Sequence, residues 1–170
     1  EMIKSRLSFM IRYDMDGSVT DVMRIALLKK TQEKPDDVMF SELLVWFALQ
    51  MQDYEIALNQ EIAIDRRLND REYDIIYLAR IARDNEQYDI AIIAYDYLIK
   101  KSKEGAFYPD AVVGMTETQY QKIATSYHEA GDPQFYIDFE KRIENECMEL
   151  GINDMTTPIL IIRAEILAFH

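Results

Sequence analysis

Three features of the 170-residue sequence predict an all-α fold. Apolar residues recur at three- and four-residue spacing nearly throughout, which is the period of a helix face. Only five glycines and four prolines are present to interrupt that period. No clean stretch alternates apolar and polar residues as a half-buried strand does. The length suits one domain spanning 1–170. With hydrophobic types at 49% and charged types at 29%, the chain can bury a core without a disulfide or a metal.

The helix boundaries follow from clusters of turn residues. Asp14-Met15-Asp16-Gly17-Ser18 closes a first helix, and its aspartates and serine are suited to cap the second. Read as a calcium loop, the same segment fails: counted from Asp14, glycine stands fourth rather than sixth, and the twelfth residue is Ile25 rather than glutamate. Further breaks fall at Lys34-Pro35-Asp36-Asp37, Asn69-Asp70, Asp84-Asn85, Lys103-Glu104-Gly105, Gly131-Asp132-Pro133 and Gly151-Ile152-Asn153-Asp154. Thr156-Thr157-Pro158 then opens a last, very apolar helix: threonine caps it and proline suits its first turn. The count is about nine helices with short turns between them. The apolar residues on nearly all sides of the last helix predict that it is buried against something.

Internal repetition sets the architecture. Gln52-Asp53-Tyr54-Glu55-Ile56-Ala57-Leu58 returns as Glu86-Gln87-Tyr88-Asp89-Ile90-Ala91-Ile92, and the pairs Tyr54–Tyr88 and Ala57–Ala91 both give a period of 34. Leu44, Val45 and Ala48 match Leu78, Ala79 and Ala82 in the preceding segments. Tyr88-Asp89-Ile90-Ala91 with Tyr95 and Leu98 resembles the second-helix half of the tetratricopeptide repeat. Tyr120-Gln121-Lys122-Ile123-Ala124, followed by Tyr127 and Gly131-Asp132, resembles its first-helix half, and the period found here is that family's own. Small residues such as Ala79, Ala91 and Ala124 let paired helices approach, and larger ones fill the space between neighbours.

The resemblance implies a right-handed α-α superhelix, a tetratricopeptide-like solenoid of about four helix pairs with a C-terminal capping helix. Units fall near 4–37, 38–71, 72–105 and 117–150, with a terminal helix at 156–169. The last step is longer, 45 instead of 34, which leaves an insertion near 101–114, where Gly105 and Pro109 favour a partly irregular path. Two departures from the family pattern stand out: Glu61 replaces the aromatic beside Ala57, and Pro133 replaces the aromatic of the fourth unit.

Composition restricts the chemistry. The formal net charge is −12, from 31 acidic and 19 basic residues, a balance that repels phosphate backbones and anionic lipid. The charge is uneven: residues 1–37 carry seven of each sign, whereas 106–170 carry eleven acidic against four basic. Neither a nucleic-acid partner nor a membrane span is expected, since no apolar run reaches the roughly 18–20 residues a span needs. A single cysteine, Cys147, allows no intrachain disulfide, and with only His128 and His170 beside it no four-cysteine or two-cysteine, two-histidine zinc site can form. Cys147 reads as a small buried hydrophobe rather than a nucleophile. Phosphate loops, hydrolase elbows and paired-histidine metal motifs are missing, so no catalytic residue, metal or cofactor is expected and the chain is not read as an enzyme. The opening Glu1-Met2-Ile3-Lys4 is no secretion signal. The chain reads as a piece of a longer protein of bacterial style, and the compartment, cytoplasmic or bacterial periplasmic, stays open.

By resemblance, the first helix of each unit lines the concave groove. Groove positions are then Arg12 and Met15; Met39, Glu42, Trp46, Leu49 and Gln50; Tyr73, Ile76, Arg80, Arg83 and Asp84; and Thr118, Gln121, Thr125, His128 and Glu129, with Tyr77 and Lys122 beside them. Aromatic and arginine side chains carry much of the energy at interfaces. Arg12, Trp46, Tyr73, Tyr77, Arg80, Arg83 and His128 are therefore the predicted partner-binding residues. The arginines suit an acidic or carboxylate-bearing peptide or helix, through charge-assisted hydrogen bonds. The alternative is that Trp46 and the tyrosines pack between first helices while the arginines pair with local acids such as Asp84 and Glu42. Chaperone-binding members of the family hold carboxyl termini with an asparagine-and-lysine clamp; Leu43, Tyr77 and Lys122 occupy the matching positions here, so that clamp is not reproduced. The expected function is protein–protein interaction. The alternatives are a structural spacer or oligomerisation segment joined through the terminal helix, and the sensor portion of a larger regulator.

Overall fold

The computed structural model describes residues 2–125 and 133–169. Among the described residues the chain is all-helical, without a strand. It divides into two compact units, 1–71 and 72–170.

The first unit holds α1 (Met2–Arg12), α2 (Ser18–Glu33), α3 (Val38–Gln50) and α4 (Tyr54–Leu68). The turn before α2 is built as its residues dictate. Gly17 takes a left-handed φ of 77°, Asp16 accepts from the Ser18 amide and hydroxyl, and Asp14 accepts from Val19 and Thr20. The Thr20 hydroxyl and amide hold the Asp14 carboxyl below the usual aspartate range. Asp37 and Asp53 cap α3 and α4 by accepting from the amides of Met39 and Ile56. Successive helices pack on one another, and their core gathers Met23, Leu27, Leu44 and Phe47. Leu7, Ile11 and Trp46 pack against its edge, but α1 itself buries no residue. Polar groups close the end of α4: the Arg71 amide donates to the buried Asp65 carboxylate at 2.9 Å, and the Arg71 guanidinium reaches Glu42 and Asp70.

The second unit holds α5 (Glu72–Asp84), α6 (Tyr88–Lys101), α7 (Tyr108–Thr125), α8 (Pro133–Leu150) and α9 (Thr157–Phe169). Small buried residues, Ala79 and Ala82 on α5 and Ala91 and Ala94 on α6, bring these two helices close. α7 packs on α6 and also meets α5, α8 and α9. Gly114 shows how close α6 and α7 lie: a Cβ there would stand 2.5 Å from Cζ of Tyr95. Val113, Tyr136, Phe139, Ile143, Cys147, Ile159, Ile162 and Ile166 form the core shared by α7, α8 and α9.

The sequence period is visible in the backbone. The Asp53 amide donates to the Ala48 carbonyl and the Gln87 amide to the Ala82 carbonyl, both at 2.8 Å. The residues before them, Gln52 and Glu86, take left-handed φ of 56° and 62°. Each is a Schellman-type helix end, one repeat apart. Asn69 ends α4 in the same left-handed region.

Two stretches differ from the simplest reading of the sequence. Within 101–114, a turn over 102–107 is closed by bonds from Gly105 to Ser102 and from Tyr108 to Gly105, and the chain is helical from Tyr108 onward. Pro109 is the second residue of α7, where a missing amide leaves no bond unmade. The terminal helix buries one face rather than all of them: Ile159, Ile162 and Ile166 are buried, while Ile161 and Leu167 are exposed. The buried Thr156 hydroxyl fixes its start, accepting from the Asn153 amide at 3.0 Å.

Candidate functional site

The predicted partner-binding residues fall in three places. Arg12 ends α1 and is exposed; Trp46 on α3 is half-buried against the first unit's core. His128 lies outside the described residues. Tyr73, Tyr77, Arg80 and Arg83 all stand on α5 at helical spacing, so they run along one side of it.

That side of α5 is the candidate site. Tyr73 and Tyr77 are 63% and 53% exposed, large rings left in solvent although the same helix buries Ile75, Ile76 and Leu78. The Tyr73 ring stands edge-on to Phe107, with centroids 6.3 Å apart. One and two turns further on, the arginines are engaged by α7: Arg80 donates to Asp110 at 2.5 Å and Arg83 to Glu117 at 2.7 Å. Arg83 also reaches Asp84 at 3.5 Å. Burial works against the Arg83 charge, but Tyr95, Glu117 and Asp84 hold its pKa above the ordinary arginine value. Glu42, the other acid considered for the arginines, pairs with Arg71 in the first unit.

Beside these pairs lies a cavity of about 260 Å³, lined by residues of α5, α6, α7 and the 151–158 segment. Its lining includes Arg80 and Arg83, their partners Asp110 and Glu117, Tyr95 and Gly114 from the α6–α7 contact, and Asp154, Met155 and Pro158. Burial pushes the Tyr95 phenol up, against the pull of Arg83 and Arg80.

Sequence reasoning named Asp84, which Arg83 reaches, but not Asp110 or Glu117. Glu117 follows Arg83 by one full period, and Asp110 follows Arg80 by slightly less. The repeat nevertheless gave no signal for either pair, because the longer step to the unit at 117 matches Arg83 to His128 and not to Glu117. Tyr95, Gly114 and Asp154 carried no signal either. Two residues read as groove positions, Ile76 and Thr118, are buried. Thr118 donates to the Gly114 carbonyl of its own helix at 2.6 Å.

Other chemistry-bearing groups are absorbed by packing. Cys147 is buried on α8, and burial pushes its thiol up, which keeps it protonated. Glu146 accepts from the buried Thr116 hydroxyl at 2.8 Å, and Arg142 donates to the same hydroxyl at 3.2 Å, pinning α8 to α7. Burial raises the Glu146 carboxyl, while Thr116 and Arg142 oppose that rise. Among the described residues, no group of three or more histidine, cysteine, aspartate and glutamate side chains could hold a metal ion, and no helix is long and apolar enough to cross a membrane. In comparisons with known proteins, the chain matches no family model, no curated protein and no solved structure.

Proposed function

We propose that this chain is a non-enzymatic protein-interaction module of the tetratricopeptide-like solenoid type, binding a peptide or helix of a partner on the exposed side of α5. One observation carries the reading: Tyr73 and Tyr77 stand in solvent one turn apart, directly before two arginines already held in place by α7. Exposed aromatic rings beside pre-positioned arginines lose little conformational freedom on binding, the condition under which such residues become dominant contacts. The matched helix-end turns at Gln52 and Glu86 support the repeat reading.

The tyrosines give a cleaner test than the arginines, because reversing Arg80 or Arg83 also breaks the ion pairs to α7. Capture from cell extract by the wild-type chain and by the Tyr73→Ser/Tyr77→Ser double variant is compared by mass spectrometry. A partner kept by wild type and lost by the variant is expected. The same proteins on both would overturn the reading.

A second reading has its own observation. Ile161 and Leu167 are exposed on α9, which suits a segment that self-associates through its terminal helix. Sedimentation of the Ile161→Ser/Leu167→Ser variant beside wild type tests it; an unchanged monomer in both removes it.

A further inference from the structure

The cavity beside α5 holds a polar group that the fold leaves unused. Tyr95 is 1% exposed, and its hydroxyl has no hydrogen-bond partner among the described residues. A buried hydroxyl without a partner is costly, so a ligand group that bonds to it gains more than the same contact would give at the surface. Tyr95 is also one of the residues lining the cavity, and a Cβ built on Gly114, which lines it too, would stand 2.8 Å from its hydroxyl.

Charge selects the ligand. The lining carries two guanidiniums, Arg80 and Arg83, against three carboxylates, Asp110, Glu117 and Asp154, and Asp84 adds a fourth through Arg83. Both arginines are already paired, at 2.5 Å to Asp110 and 2.7 Å to Glu117. Asp154, another lining residue, has no ion pair or hydrogen bond among the described residues. An incoming carboxylate would have to displace Asp110 or Glu117 and then sit among the remaining acids. An incoming cation breaks no existing pair and meets an excess of negative charge. Val113, Met155 and Pro158 supply apolar wall for a methylene stem. The space of about 260 Å³ admits one long side chain.

We infer that the cavity receives a lysine side chain of the partner segment, its ammonium donating to the Tyr95 hydroxyl and to the Glu117 and Asp154 carboxylates. An ammonium is a compact charge with three donors, which suits three separate acceptors; a guanidinium's planar fork suits one carboxylate in plane. The inference rests on α5 as the partner surface and adds the chemistry of the group that anchors there. It reverses the charge expected from the arginines alone.

The probes are three capped tripeptides, acetyl-Ala-Lys-Ala-amide and its norleucine and glutamate counterparts, titrated into the isotope-labelled full chain and followed by amide NMR. The lysine peptide is expected to shift the Gly114 and Glu117 amides saturably and to bind at least threefold more tightly than the norleucine peptide. Tyr95→Phe and Asp154→Asn should each weaken it at least threefold. Asp154 is exposed, so its substitution leaves the fold intact even if the Tyr95 variant perturbs it. Equal or tighter binding of the glutamate peptide, or no saturable shift at Gly114 with lysine, would overturn the inference. If partner capture depends on Tyr73 and Tyr77 but is indifferent to Tyr95→Phe and Asp154→Asn, the module stands and the lysine pocket does not.

Discussion

One repeat apart in sequence, α3 carries Met39, Leu43, Trp46 and Leu49 where α5 carries Tyr73, Tyr77, Arg80 and Arg83. The interiors of the two helix pairs nevertheless agree. Leu44 and Leu78, Ala48 and Ala82, and Ala57 and Ala91 are buried in both, and both pairs turn through the same left-handed helix end. The repeat therefore constrains the face that one helix shows its mate and leaves the other face free. On α3 that face is largely apolar; on α5 it holds rings and charges, and only there does α7 supply carboxylates to hold the arginines. A second difference lies inside. Glu61 and Tyr95 occupy matched buried positions, and the larger Tyr95 ring is accommodated by a glycine on α7.

If the interiors are equivalent, matched truncations should cost alike. Leu44→Ala and Leu78→Ala are each expected to lose about 2–5 kcal/mol of stability, read by urea denaturation. A large loss at one and almost none at the other would break the equivalence. Gly114→Ala tests the feature particular to the second unit. The added methyl would overlap the Tyr95 ring at 2.5 Å, for an expected loss of about 1–3 kcal/mol. Tyr95→Leu should recover part of that loss in the double variant, whereas strict additivity would place the strain elsewhere.

Smaller effects sharpen the same comparison. Gln52 and Glu86 both hold a conformation that glycine adopts without strain, so Gln52→Gly and Glu86→Gly should each stabilise, by up to about 1 kcal/mol in thermal melts. Opposite signs at the two sites would show that the turns are not energetically matched. The smallest effect concerns Asp14 in the first unit. Its carboxyl is held below its ordinary value of 3.8 by hydrogen bonds from Thr20, so it binds a proton less readily folded than unfolded. The stability it contributes is present above that value and lost as the pH falls through the lower folded one. Asp14→Asn should flatten the acid side of a melting-temperature profile; an unchanged profile would remove Asp14 as a source of acid sensitivity.

How far the sequence could be read depended on whether a residue acts through local pattern or through a distant contact. α3 and α5 begin at Val38 and Glu72, where the repeat put unit starts, because apolar spacing and turn residues are local properties. The start of α7 was harder. Gly105 and Pro109 both look like helix breakers, and only the fold shows that Pro109 stands inside the first turn. The rings and arginines of α5 were singled out by the family resemblance, which gives groove positions, and helical spacing puts them on one side of the helix. Their engagement by Asp110 and Glu117, and hence the sign of the charge left over, depends on which acids lie across the interface with α7. The Tyr95 hydroxyl, unpaired among the described residues, was illegible for the same reason: a tyrosine at a repeat position reads as packing, and whether its oxygen finds a partner is settled by residues far away in sequence.

The claim that α5 is the partner face is tested most directly by the dissociation constant of the captured partner. It is measured for wild type, for Tyr73→Ser/Tyr77→Ser and for Ile161→Ser/Leu167→Ser under one salt condition. At least tenfold weakening by the tyrosine changes, with the α9 variant indistinguishable from wild type, is the predicted result. Undiminished affinity in the tyrosine variant, or loss confined to the α9 variant, would contradict it and move the contact to the terminal helix.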